Sequence, residues 1–360
     1  MLNNIKVLHT EWSDGWGGQE IRIINEMIAV REQGIEVFLA CRDNSIIKEK
    51  AIENNIKVFI LPFRGNVDFK TLFALVKIVK ENEIDIVNTH SGKDTWVGGL
   101  AAKFAGSKFI RTRHLSNRIR SSRFNFINEL ADYIFTTGES VKNDMIKYNR
   151  INPEKIISIP TGIDAEIFDP SVYDRNKSRI KYNIKEDEIA IGIIAVVRRF
   201  KRHDLFVNAA EILLRKYSNI KFFIAGDGPV INDIKKLIKE KKLEENIILL
   251  GHENNPALLL SALDIFTLTS DSKEGVPQSV MQALLMNKNV IATDVGSTID
   301  LHCDSNFKLI KPNNINEIVS AVSFYIENDV KNSARKFIVD NFSKKVMVEK
   351  TIRVYKKLSK

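Results

Sequence analysis

The sequence predicts an α/β protein built as two doubly wound domains, and three observations predict it. Short β-branched runs alternate with amphipathic stretches along the whole chain. The runs are continuously apolar, as expected of parallel strands covered by helices on both faces. The alternation halts once, in the polar, turn-rich segment 161–178, and then restarts. A chain of 360 residues accommodates two domains at about 100–200 residues each.

The first set of strands is read in IKVLHT (5–10), EVFLAC (36–41), KVFILP (57–62), IDIVNTH (84–90), KFIRTRH (108–114), YIFTTG (133–138) and IISIPTG (156–162). Periodic segments EIRIINEMIAVREQG (20–34) and FKTLFALVKIVKENE (69–83) read as helices between them, with Gly34 as the expected C-cap of the first. AIGIIAVV (190–197), IKFFIAGDG (220–228), NIILLGH (246–252), IFTLTS (265–270) and NVIATDVG (289–296) form the second set. The last stretch, 343–360, reads as a helix too polar for a central position, expected to pack back toward the first domain. The expected division is therefore 1–168, 169–342 and this terminal helix.

Composition narrows the class. At 44% hydrophobic and 28% charged the chain is an ordinary globular protein. No run reaches the ~18–20 apolar residues of a spanning helix. The N-terminus enters a strand-like run with no signal-peptide core, so the expected location is cytoplasmic. Two cysteines, Cys41 and Cys303, are expected to be buried free thiols. The net charge is +9, and RTRHLSNRIRSSR (111–123) concentrates five arginines without an acid. Such a cluster suits phosphate groups or anionic lipid headgroups. It lacks the interleaved aromatics of a single-strand platform and any helix-turn-helix or RNP pattern, so nucleic acid is not an expected partner.

Ligands of open α/β sheets bind beyond the carboxyl ends of the strands, so chemistry is sought in those loops. TEWSDGWGGQE (10–20) places Gly15, Gly17 and Gly18 before a helix, where backbone amides can meet an anion. It also reads as a plain flexible turn. As a dinucleotide fingerprint it fails, because Glu20 stands where glycine or alanine is needed; there is no P-loop. VVRRFKRHD (196–204) sets Arg198 and Lys201 directly after a strand, where a guanidinium fork and a point charge can clamp a diphosphate. AGDGP (225–229), with Gly226 and Gly228, is a tight turn at the next strand end. In SDSKEGVPQSVMQALL (270–285), Glu274 sits between strand and helix, with Pro277 suited to the first helical turn. There the helix dipole stabilises a carboxylate, which can also accept hydrogen bonds from polyol hydroxyls. His90 and His114 end two strands without a partner at metal spacing, and no two aspartates are separated by one residue, so no metal site is assigned.

Taken together, GGQE, RTRHLS, SIPTGID, VVRRFKRHD, AGDGP and SDSKEGVPQSVMQALLMNKNVIATDVGS resemble the retaining GT4 glycosyltransferases, in this order and over nearly the whole chain. The resemblance implies the GT-B fold, two Rossmann-like domains facing a central cleft. LHTEWSDGWGGQEIR and THSGKDTWVGGLAAK look like members that build lipopolysaccharide and other surface glycans. It implies that Arg198 and Lys201 hold the donor diphosphate, with Gly17, Gly18, Gly226 and Gly228 giving it room. His114 would lie beside the donor sugar, Glu274 on its hydroxyls, and Gly275 and Val276 near the phosphates. A second glutamate normally grips the nucleotide ribose; Gln282 holds that position here, eight residues after Glu274. Other departures are Arg202, where the family usually has glycine, Ser297–Thr298 after Gly296, where a second glycine is common, and Asp300 in place of glutamate.

The implied activity is metal-independent, retaining transfer from a nucleotide-sugar, UDP-linked in preference, to a lipid-linked or lipopolysaccharide-type glycan. No cofactor is required beyond that co-substrate, and the arginine cluster would meet the anionic acceptor or inner-membrane lipids. Alternatives are a nucleotide-sugar epimerase of the same fold and a non-catalytic nucleotide- or carbohydrate-binding protein.

Overall fold

The computed structural model describes residues 5–114, 119, 126–272, 274–303, 306–330 and 334–359. Two compact units share the chain: residues 1–162 with 344–360, and residues 163–343. The boundary falls before Ile163 rather than after Phe168 because both side chains belong to the core of the second unit. Ile163 N–H also donates to the Phe342 carbonyl there.

In the first unit the order is β1 (Lys6–Glu11), α1 (Gly18–Arg31), β2 (Glu36–Cys41), α2 (Ile46–Glu53), β3 (Lys57–Ile60), α3 (Phe69–Glu81), β4 (Ile86–Thr89), α4 (Gly92–Ala105), β5 (Lys108–Arg113), β6 (Tyr133–Thr136), α5 (Glu139–Asn149) and β7 (Ile156–Ser158). The strands form one parallel sheet, β3-β2-β1-β4-β5-β6-β7. Helix α1 ends at Arg31, three residues short of the expected C-cap. Gly34 still turns the chain, with φ 86° and its N–H on the Arg31 carbonyl, while the Ile35 N–H reaches back to the Val30 carbonyl. The C-terminal helix Lys344–Leu358 is part of this unit and not a separate element. Its polarity covers one face only: Met347, Val348, Val354 and Tyr355 are buried against α1 and the sheet. Tyr355 Oη donates to Glu26 at 3.4 Å, and Glu26 pairs with Arg22 at 3.5 Å, all three side chains fully enclosed.

The second unit runs α6 (Arg175–Lys181), β8 (Ile189–Ile194), α7 (His203–Lys216), β9 (Ile220–Ala225), α8 (Ile231–Glu240), β10 (Ile247–Gly251), α9 (Pro256–Ala262), β11 (Ile265–Leu268), α10 (Gln278–Leu285), β12 (Asn289–Thr293), β13 (Phe307–Ile310), α11 (Ile315–Glu327) and α12 (Ala334–Phe342). Its parallel sheet has the order β10-β9-β8-β11-β12-β13. Strand β13 is absent from the sequence reading: it is a four-residue edge strand carrying Lys308, too short and too polar to announce itself. Several apolar runs overshoot their strands, as at 190–197: beyond β8, Val197 is fully enclosed while Val196 is exposed.

Both orders reverse beside the first strand of the unit, between β1 and β4 and between β8 and β11. At such a switch point the flanking loops diverge and leave a crevice. Cys41 is buried and Cys303 partly so, and neither is in a disulfide. Burial pushes the Cys41 thiol up to about 11. No helix among the described residues is long and apolar enough to cross a membrane.

Candidate functional site

The β8–β11 crevice gathers the second-unit residues. Arg198 is exposed in the loop after β8, where a short helical turn, Arg199–Lys201, leads into α7. It borders a cavity of about 480 Å³ with Arg202, Asp204 and Asp271. Lys201 Nζ lies 2.6 Å from Glu274 Oε1, which also accepts from the Ser270 hydroxyl. Glu274 is buried and Lys201 partly so. The cation expected at the phosphates and the carboxylate expected at the sugar neutralise one another. Asp271 N–H donates to the Phe200 carbonyl at 2.8 Å, tying the two strand-end loops together.

Three glycines hold these loops by absence of a side chain. A Cβ on Gly226 would sit 2.0 Å from the Ala195 carbonyl oxygen, and one on Gly228 2.4 Å from that of Val197. The AGDGP turn thus packs under the Arg198 loop, and backbone of the chain itself fills the space beside both glycines. Gly296, at φ 60°, crosses the backbone of Glu274 as closely. Arg202 also adopts a left-handed conformation, φ 53°, which explains why glycine suits that position. Its side chain is fixed by Asp204 at 2.8 Å and Asp271 at 3.7 Å. Pro277 is the N-cap of α10, not a residue of its first turn. Val276 is buried in the core, so only its backbone is available to a ligand; Gly275 is half-buried beside it. Gln282 lies half-buried one turn into α10.

The β1–β4 crevice gathers the first-unit residues. Gly17 is the N-cap of α1 and Gly18 its first residue. The Gly17 amide donates to Glu20 Oε2 at 2.9 Å, so the carboxylate that breaks the dinucleotide fingerprint takes a donor an anion would use. His114 follows β5 and is the end of a chain of three rings: His9 Nδ1 is 2.9 Å from His90 Nε2, and His90 Nδ1 is 2.9 Å from His114 Nε2. Burial holds all three below the usual imidazole range, His9 down to about 3; Arg22, Arg111 and Arg113 add to it at His114. Of the arginine cluster, Arg111 and Arg113 are buried on β5, whereas Arg118, Arg120 and Arg123 lie outside the described residues.

Several site residues escaped the sequence reading. Asp94 caps α4, accepting from Ser91 N–H at 2.8 Å, His90 N–H at 2.9 Å and Thr10 Oγ1 at 2.7 Å. Glu11 accepts from the amides of Trp12 and Ser13, both at 2.9 Å, and from Gln19. The available signal was polar residues at the ends of three otherwise apolar strands: His9 and Glu11, His90, and Arg111 with Arg113.

Burial, reinforced by Asp94, pushes Glu11 up to about 8 from 4.5. Between those values the unfolded chain has lost the Glu11 proton and the folded protein keeps it, so stability falls as pH rises through the window. Glu11→Gln is expected to flatten that decline and to be the more stable protein at pH 8. Urea unfolding at pH 5 and pH 8 checks it; equal slopes for the two proteins would refute it.

Residues 174–344 match the sequence family described as glycosyl transferases group 1, and residues 16–167 match glycosyltransferase family 4. An Escherichia coli protein, UDP-Gal:alpha-D-GlcNAc-diphosphoundecaprenol alpha-1,3-galactosyltransferase, is 24% identical over 98% of this chain and 97% of its own. Among solved structures, a Rickettsia africae glycosyltransferase superposes with a TM-score of 0.91 at 21% identity, covering 99% of each chain. Anabaena HepE in complex with UDP gives 0.85 at 18% identity, covering 98% of this chain and all of HepE. These structures share the GT-B fold with the two sheets described above. With both halves matched in order and the strand-end groups at the two switch points, the chain belongs to the GT4-type glycosyltransferases.

Proposed function

We propose that this enzyme is a retaining, metal-independent transferase that moves a sugar from a UDP-sugar to a lipid-linked surface glycan at the cytoplasmic face of a membrane. The observation that carries this is the Lys201–Glu274 pair at the β8–β11 switch point, with Arg198 exposed three residues before Lys201 in the same loop. The second unit takes the donor and the first the acceptor. Arg198 and Lys201 meet the charge that grows on the diphosphate as the bond to the anomeric carbon breaks, the work a metal ion does in other transferases. The acceptor hydroxyl attacks that carbon from the departing side, and a diphosphate oxygen takes its proton. Glu274 leaves Lys201 to accept from the sugar hydroxyls. UDP is favoured because HepE is held with UDP and the E. coli relative is named for UDP-Gal. The same relative's acceptor, a sugar on diphosphoundecaprenol, motivates the lipid-linked class.

The test is transfer from UDP-sugars to a lipid-diphosphate sugar in excess EDTA, with the product's anomeric configuration read by NMR. The donor's configuration is expected in the product at an undiminished rate. An inverted linkage refutes retention, and loss of activity restored by a divalent metal refutes metal independence.

Gln282 sets the grip on the nucleotide. An amide accepts a hydroxyl's hydrogen bond without the strength of a carboxylate. Gln282→Glu is expected to tighten UDP binding by about 3–10-fold, the gain of a charged over a neutral hydrogen bond. Calorimetric titration with UDP measures it; weaker binding would show that this amide has a different partner.

A further inference from the structure

One cavity of the first unit has on its wall a buried arginine whose donors lack acceptors. It measures about 610 Å³ and opens at the carboxyl ends of β1, β4 and β5. Arg111, on its wall, is 3% exposed, and its Nε and Nη1 are buried with no hydrogen-bond partner. Asp94 gives Arg111 a favourable field, but its oxygens, like those of Glu11, are engaged by the amides and hydroxyls already described. Arginine stays charged, and its planar fork is left without the oxygens it is shaped for. Lys93 stands at the same wall, its ammonium 3.8 Å from the centre of the Trp12 ring. Among the described residues, the one carboxylate lining the cavity, Glu20, is bound by the Gly17 amide.

The histidine chain adds another donor. His9 Nε2 is buried without a partner. A bare lone pair is better tolerated there than a bare N–H. His9 therefore donates through Nδ1 to His90 Nε2, and His90 through Nδ1 to His114 Nε2. His114 is left with its proton on Nδ1, so it can donate to a ligand and cannot take a proton through that atom.

We propose that this cavity binds a phosphate or diphosphate ester, with Arg111 as its fork and Lys93 and His114 as further donors. A ligand rich in acceptor oxygens and carrying no protons is what such a wall lacks. Trp96, also on the wall, offers apolar surface to whatever the phosphate is esterified to; the Lys93 ammonium already stands over the Trp12 ring. Assigning that phosphate to the acceptor lipid rests on the function proposed above; the anion site itself does not.

The cavity holds two of the three tryptophans, so intrinsic fluorescence reports its occupancy. With saturating UDP present to fill the donor site, inorganic pyrophosphate is expected to change the emission and bind. Arg111→Gln should weaken it by about tenfold or more, as befits a charged hydrogen-bonding group, while UDP affinity stays at the wild-type value. Lys93→Gln, at an exposed position, should weaken it about 2–5-fold and serves if Arg111→Gln does not fold. Pyrophosphate displaced by UDP, or bound equally by wild type and both variants, overturns the proposal. A short-chain prenyl diphosphate that outcompetes pyrophosphate supports the acceptor as the source. Binding to phosphatidylglycerol vesicles with no response to either soluble diphosphate overturns it in favour of a membrane surface. If pyrophosphate binds as expected but no donor supports transfer, the transferase reading fails and the anion site stands.

Discussion

Arg198→Ala is expected to lower kcat by about 10²–10³-fold, the usual cost of removing one preorganised donor from developing negative charge. Arg198 is exposed, and its loop is held by backbone contacts that alanine keeps, among them Val197 N–H on Asp227 and Lys201 N–H on Arg198. The unfolding midpoint should therefore stay where it is, which separates a chemical loss from a structural one. Arg198→Lys restores the charge without the fork and should recover part of the rate. Single-turnover assays give the chemical step directly. If wild type and Arg198→Ala release nucleotide equally slowly with every donor, the protein is not a transferase acting through this loop. It would then be a binding protein of the same fold.

The second large effect is expected from Gly296→Ala, a change of one methyl group. The new Cβ would lie 1.8 Å from the Glu274 carbonyl oxygen. It would also place an L-residue at φ 60°, which by itself costs about 1–2 kcal/mol. Collision and conformation together should destabilise the second unit by about 3 kcal/mol or more. The loop carrying Glu274 must move, so the Lys201 contact and the transfer rate should suffer with it. Gly251→Ala is the control: φ is 66° there, but nothing lies within 4 Å of the added carbon. It bears the conformational cost alone. Urea denaturation of both variants measures the difference, and equal losses would show that the crowding at Gly296 is relieved at no cost.

The strands were readable because buried parallel strands are written as unbroken β-branched runs, and the positions of Arg198, Lys201 and Glu274 were readable because ligand loops follow strand ends. Strand β13 was not, since Phe307–Ile310 has neither length nor uniform polarity. What joins the site was less accessible still. His9 and His90 are 81 residues apart and Lys201 and Glu274 73 apart, and no periodicity links such pairs before the sheet brings their strands side by side. Gly226 and Gly228 were visible as a turn, but that their hydrogens face the backbone of residues 195–197 is a fact of packing alone. The sequence drew attention to the arginines of 111–123 as a charged surface; Arg111 and Arg113 are instead interior groups, because strand alternation puts both on one face of β5 beneath α4.

The Lys201–Glu274 contact bears on what the enzyme lets go. The diphosphate of a nucleotide offers oxygens to Lys201 but no donor to Glu274, which would keep only the Ser270 hydroxyl in its buried position. An intact nucleotide-sugar brings phosphate to one partner and hydroxyls to the other. On the proposed reading, the pair discriminates between fresh substrate and spent product by the sugar alone. On that reading the pair opens for the donor and closes again once the sugar has left.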